Sequence, residues 1–162
     1  MLTPDDVRGF MDARAIDGEI LLLDVPTPTV EMAAQAVGAL PGQIVKSLLF
    51  LVNSQPVLAI TCGTETVDRR AIGMLFGVGR KKVKLASPDE VLAIAGYAVG
   101  AMPPFAHLQP LTTLVDRSVL QQPFVYGGGG GECALLRLTP AELLRVTGAQ
   151  VLDLTSPPEI VE

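Results

Sequence analysis

The chain predicts an α+β fold with a mixed or antiparallel sheet, about seven strands and about five short helices. Three observations predict it. The helix-start pattern Ser/Thr-Pro followed by an acid recurs along the sequence. Apolar, β-rich runs are joined by short polar or glycine turns, as in hairpins. Strand and helix segments are interspersed without the strict alternation of βαβ units.

The elements follow in order. Thr3 caps a first helix, with Pro4 at its first position and Asp5 and Asp6 in its first turn. The run 19–25 is a strand. "PTPTVEMAAQAVG" is a helix that stops at Gly38. "IVKSLLFLV" and "PVLAIT" form a hairpin around "NSQ". "VDRRAIGMLFG" is helical, with Val67, Ala71, Met74 and Leu75 on one face. "KKVKLA" is a short strand. "SPDEVLAIAG" is the clearest helix, because Ser87 caps it, Glu90 completes a capping box and Gly96 ends it. "YAVGAMPPFAHLQP" has glycines, two adjacent prolines and no period, so it is an irregular loop. A strand follows in "LTTLVD", then a strand, glycine turn and strand in "PFVYGGGGGECALLRL". Thr139, Pro140 and Glu142 start the last helix and Gly148 stops it, before a short strand "AQVLDL" and a tail "TSPPEIVE".

Composition narrows the function. A length of 162 residues fits one domain spanning 1–162. The hydrophobic share of 49% against 18% charged makes the chain globular rather than disordered. A net charge of −5 excludes the broad basic field of a nonspecific nucleic-acid binder, though not a local basic patch. Cys62 and Cys133 make neither a metal-ligand spacing nor a disulfide framework, so no structural zinc site is expected, and no motif in the sequence calls for a cofactor. No leader pattern and no membrane-length apolar run is present, so a soluble protein of the reducing cytoplasm is expected, with no membrane partner.

Candidate site residues begin at Lys46. Strand alternation puts it on one face with Ile44, Leu48, Phe50 and Val52, and puts Val45, Ser47, Leu49 and Leu51 on the other. Both faces are apolar, which is the pattern of a central strand covered on both sides. Two readings of the lysine stand. Its stem packs while the ammonium snorkels to water, or the ammonium meets an anion or a carbonyl at a cleft mouth.

The loop offers a second candidate. Gly100 and Pro104 have the spacing G-x-x-x-P, and the amides of Ala101 and Met102 between them could hold an oxyanion. An ordinary connecting loop has the same punctuation.

Other candidates carry bland alternatives. His107, the only histidine, is a loop-exposed rim contact rather than a catalyst. Cys62 and Cys133 are small apolar fillers. The glycine run could cradle a phosphate but lacks the G-K-[ST] of a P-loop, so a hairpin tip competes. Arg69, Arg70, Arg80, Lys81, Lys82 and Lys84 hold half of the 12 Lys and Arg. Arg80, Lys81 and Lys82 form a candidate patch for nucleic-acid phosphates or an ordinary solvated face.

Taken together and in order, "IVKSLLF", "VDRRAIGMLFGVGRKKVKLASPDEV", "GYAVGAMPPFAHLQPL", "LVDRSVL", "VYGGGG" and "LTPAELLRVTGAQVLDL" resemble the YbaK/ProX family of aminoacyl-tRNA editing domains. That family includes the YbaK/EbsC proteins and the prolyl-tRNA synthetase-associated domains. The resemblance covers roughly residues 29–155. It implies a barrel-like mixed sheet and hydrolysis of the ester joining a wrong amino acid to the tRNA 3′-terminal adenosine. It carries the family's strand lysine onto Lys46 and its loop onto Gly100 to Pro104, with Gly100, Ala101 and Met102 in catalysis. Ser47, Pro103, Pro104, Phe105, Gly128 and Gly129 become substrate-binding candidates. The implied partners are a tRNA acceptor end and a prolyl-tRNA synthetase, and the oligomeric state stays open. Ala95 and Ala106 depart from the Thr-Gly-Tyr and Pro-Phe-Gly of many relatives.

Three functions follow. The first is a trans-editing deacylase that uses positioned water and amide stabilisation of the oxyanion, with Cys- or Ala-tRNA(Pro) as first substrates. The second is a non-catalytic module that binds tRNA or a synthetase. The third, a small-molecule esterase, lacks a visible nucleophile–base pair.

Overall fold

The computed structural model describes residues 1–156. Five α-helices and eight strands alternate irregularly: α1 Pro4–Ala13, β1 Gly18–Leu22, α2 Val30–Val37, β2 Val45–Val52, β3 Gln55–Cys62, α3 Arg69–Phe76, β4 Val83–Leu85, α4 Pro88–Ala95, β5 Thr112–Asp116, β6 Val125–Gly128, β7 Ala134–Leu138, α5 Pro140–Thr147 and β8 Gln150–Leu152. The strands form two sheets, a three-stranded β1-β7-β6 and a five-stranded β4-β2-β3-β5-β8. The expected barrel is therefore not closed among the described residues. The mixed character is present, since β3–β5 and β5–β8 are parallel and the other ladders antiparallel.

Local chemistry sets the helix ends. The Ser87 hydroxyl accepts from the Glu90 amide at 3.2 Å and Glu90 returns a carboxylate oxygen to the Ser87 amide at 3.0 Å, which closes the capping box. Gly38, Gly77, Gly96 and Gly148 end their helices in the left-handed conformation. The helical face predicted for α3 is corrected: Ile72 and Gly73 are buried, whereas Met74 is 83% exposed. Its inward stripe runs through Ile72 because the helix packs only that narrow edge on the sheet. Three 3-10 turns, at Pro41–Gln43, Arg80–Lys82 and Arg117–Gln121, join the elements.

The central pair β2–β3 is covered on both faces. Val45 and Leu49 join Leu58, Ile60 and Cys62 in one apolar cluster under α1, α4 and α5. Phe50 and Val52 join Val57 and Ala59 in a second, under Ile72 of α3. A third cluster sets Ala33 and Ala34 of α2 against Ile44 and Leu135. At the C-terminal end Thr155 bridges Val67, and the Ser156 amide donates to the Thr66 carbonyl. The remainder of the expected tail lies outside the described residues.

Candidate active site

The site begins as a gap in a sheet. Strand β4 pairs with β2 only from Phe50 to Val52. At the other end, the strand pairing of β6 with β2 is limited, among the described residues, to a parallel bridge between Ile44 and Tyr126. Between them the edge of β2 carries no strand pairing among the described residues, and a cavity of about 300 Å³ opens there. Side chains from both faces of β2 line it, because the sheet is open at that point: Lys46 and Leu48 from one face, Ser47 and Leu49 from the other.

The loop after α4 supplies the opposite wall through Gly100 and Met102, and β6 supplies Gly128. Gly100 sits at φ 90°, where only glycine rests without strain. Gly128 is needed for a different reason: a Cβ on it would lie 2.3 Å from the Met102 carbonyl oxygen. Its missing side chain lets the loop and β6 touch backbone to backbone. A second link ties them, the Gly130 amide donating to the Ala101 carbonyl at 2.9 Å.

The loop is braced from behind. The buried Tyr97 hydroxyl donates to the Ala106 carbonyl at 2.7 Å. Burial first, and then Asp6, push its pKa up to about 12, so it stays a donor. His107 Nε2 lies 2.7 Å from the Pro103 carbonyl, and burial lowers its pKa, which favours a neutral ring donating to that oxygen. The histidine is thus a half-buried brace of the loop rather than an exposed rim contact.

Five of the predicted residues meet in this cavity: Lys46, Ser47, Gly100, Met102 and Gly128. Lys46 is half-buried and, among the described residues, belongs to no ion pair and is the one ionisable side chain on the wall. Five others, Ala101, Pro103, Pro104, Phe105 and Gly129, do not line it. The Ala101 amide is committed to the Ala98 carbonyl at 3.1 Å, closing a turn, so it is not a free oxyanion donor. The amides of Gly100 and Met102 have no acceptor among the described residues. Pro103, Pro104 and Phe105 stand behind the wall: Pro104 and Phe105 line a separate hollow, and Phe105 stacks on Phe10 with centroids 5.5 Å apart. Gly129 packs on the Ala134 backbone instead.

Residues missed by the sequence reading include Thr27 to Thr29 before α2, Val30 at its start, Val91 and Leu135. Their apolar or capping roles gave no signal of a wall. Arg80, Lys81 and Lys82 are exposed on a 3-10 turn outside the cavity. They stand just before β4, whose Leu85 reaches the rim. Cys62 is buried outside this cavity, burial raises its pKa, and the Ser118 hydroxyl lies 3.5 Å from its sulfur and also donates to Asp116.

These features define an α+β domain with a mostly apolar cleft, one lysine at its wall, and loop amides at Gly100 and Met102 without an acceptor among the described residues. Comparison with known proteins gives the class a family. The aminoacyl-tRNA editing domain model matches residues 24–146, and the chain belongs to that family. It is similar to a solved structure proposed to be a trans-editing enzyme for prolyl tRNA synthetase, at 38% identity and TM-score 0.89 over 95% of this chain and 97% of that one. It is 27% identical to the uncharacterized protein YwhH of Bacillus subtilis (strain 168), over 83% of this chain and 85% of that protein. It is also 29% identical to proline–tRNA ligase of Streptococcus equi subsp. equi (strain 4047), over 60% of this chain but only 16% of the ligase. The editing role is thus shared with the family, and the chain corresponds to a small part of the ligase.

Proposed function

We propose that this protein is a trans-editing aminoacyl-tRNA deacylase that hydrolyses the ester of a mischarged tRNA. The observation that carries the reading is that Lys46, from β2, and Met102, from the loop, line one cavity of about 300 Å³. An aminoacyl ester is already activated, so positioned water and oxyanion stabilisation suffice, and no nucleophile–base pair is required.

Lys46 holds the ribose or phosphate of the terminal adenosine and so sets the ester against the loop. The amides of Met102 and Gly100 stabilise the carbonyl oxygen as water adds to the carbonyl carbon. Collapse of the tetrahedral intermediate breaks the carbon–oxygen bond to the ribose. The free amino acid leaves, and the ribose oxygen takes up the proton that water released. No step is routed through a metal ion, and among the described residues no three His, Cys, Asp or Glu side chains converge.

The similarity to proline–tRNA ligases makes Cys- and Ala-tRNA(Pro) the first substrates to try and a prolyl-tRNA synthetase the first partner. Arg80, Lys81 and Lys82 supply a contact to acceptor-stem phosphates. Two free thiols suit the reducing cytoplasm in which this reading places the protein. The test is deacylation of mischarged tRNAs by the wild type and by a Lys46 variant.

A further inference from the structure

We infer that the backbone of Ser47 receives the aminoacyl group as a one-residue strand, pairing with the amino acid's own N–Cα–C=O unit. This rests on the deacylase reading and assigns the subsite within it.

The hairpin register supplies the geometry. Asn53 and Ser54 both have positive φ, 48° and 70°, the conformation of a two-residue turn of the primed type. In such a turn the closing pair, here Val52 and Gln55, exchanges both backbone bonds. Alternation then gives the same bonding to Phe50–Val57, Leu48–Ala59 and Lys46–Thr61. Val45, Ser47 and Leu49 therefore turn their amides and carbonyls away from β3. An independent bond agrees: the Leu49 carbonyl accepts from the Ala86 amide at 2.9 Å, on the outer side.

Ser47 lies in the middle of the unpaired stretch. Its amide and carbonyl point along the sheet into the gap between the Phe50–Leu85 pair and the Ile44–Tyr126 bridge. Its hydroxyl is buried with no hydrogen-bond partner, a second polar group at the same position awaiting one. An α-aminoacyl ester complements this edge. Its ammonium donates to the Ser47 carbonyl and its carbonyl oxygen accepts from the Ser47 amide, the two bonds of an opposed antiparallel pair. The second lone pair of that carbonyl oxygen remains for the Met102 amide, and the third that develops on the tetrahedral oxyanion for the Gly100 amide. The subsite thus reads what all amino acids share. It also reads the hand at Cα, because a D-residue throws its side chain to the opposite face of the sheet.

The test is amide hydrogen exchange of the full chain by NMR, with and without 3′-(L-alanylamino)-3′-deoxyadenosine, a stable amide in place of the ester. The Ser47 amide should slow roughly five- to tenfold, the protection that one added backbone hydrogen bond gives, while the ladder-bonded Lys46 and Leu48 stay unchanged. The des-amino probe, with propionyl in place of alanyl, should protect less. If the L-alanyl probe shifts Gly100 and Met102 but leaves Ser47 exchange unaltered, the subsite is wrong and the deacylase reading stands. If saturating probe moves no cleft resonance, both fall.

Discussion

Gly128 and Met102 touch backbone to backbone, so closely that a Cβ on Gly128 would lie 2.3 Å from the Met102 carbonyl oxygen and 2.7 Å from its carbonyl carbon. No rotamer relieves such a clash, because both atoms are main chain. Gly128→Ala must therefore push the loop from β6. We expect a loss of about 1–3 kcal/mol in stability, as for other overpacked sites. Displacing the donor amide by even an ångström should also cut kcat/KM about a hundredfold. Denaturant unfolding and single-turnover deacylation check the two effects. A variant with wild-type rate would show that the position of the loop does not matter.

Lys46 makes no ion pair among the described residues, so its charge does little for the fold. Lys46→Met keeps the apolar stem and removes only the ammonium. Stability should stay within about 0.5 kcal/mol of wild type. The deacylation rate should fall about a hundredfold or more if the ammonium orients the substrate.

Ala106 occupies φ 67°, a conformation in which a Cβ is strained. Ala106→Gly relieves the strain but adds chain entropy to the unfolded state. The net expected gain is about 0.5–1 kcal/mol, read as a raised denaturation midpoint with an unchanged m value. A lower midpoint would mean that the methyl group's packing outweighs the strain.

Acid stability should depend on Glu142. The Arg145 guanidinium first, and then the Asp17 amide, hold its carboxyl at about 2, below its ordinary 4.5. The folded state thus releases the proton more readily than the unfolded one. The stabilisation is complete above about pH 4.5 and is lost as pH falls toward about 2. Glu142→Gln should flatten the stability profile in that window and leave its slope above pH 5 unaltered. An unchanged profile between pH 5 and 2 would contradict the assignment.

Arg80, Lys81 and Lys82 are exposed, and the ion pairs among the described residues do not include them. If they contact tRNA phosphates, changing all three to alanine should reduce the salt slope of tRNA binding by roughly two to three. The affinity at low salt should fall with it. An unaltered slope would leave them as a solvated face.

Much of this was legible from periodicity and caps. Ser87 and Thr139 open their helices as their neighbours predict, and the two-faced burial of β2 follows from its continuous apolar run. The hairpin partners β2–β3 and β6–β7 were legible from their short turns, but the long-range ones were not: β3 meets β5 in parallel, a choice that no local pattern encodes. The gap beside Ser47 has the same origin. It exists because β4 stops pairing at Phe50 and β6 joins only at Ile44. The loop was half legible. Its glycine and prolines announced an irregular turn, but the Ala98 carbonyl that occupies the Ala101 amide depends on how the turn closes. Phe105 looked like a wall residue beside the two prolines, yet its ring found Phe10 of α1 instead.

The most direct measurement is single-turnover hydrolysis of a panel of mischarged tRNAs, beginning with Cys- and Ala-tRNA(Pro), by wild-type protein and by Lys46→Ala. The account predicts that wild type deacylates at least one member and that the variant is slower by about a hundredfold or more on the same tRNA. Binding without hydrolysis of any member would identify a tRNA-binding module instead. Equal rates for the two proteins would contradict the role given to Lys46.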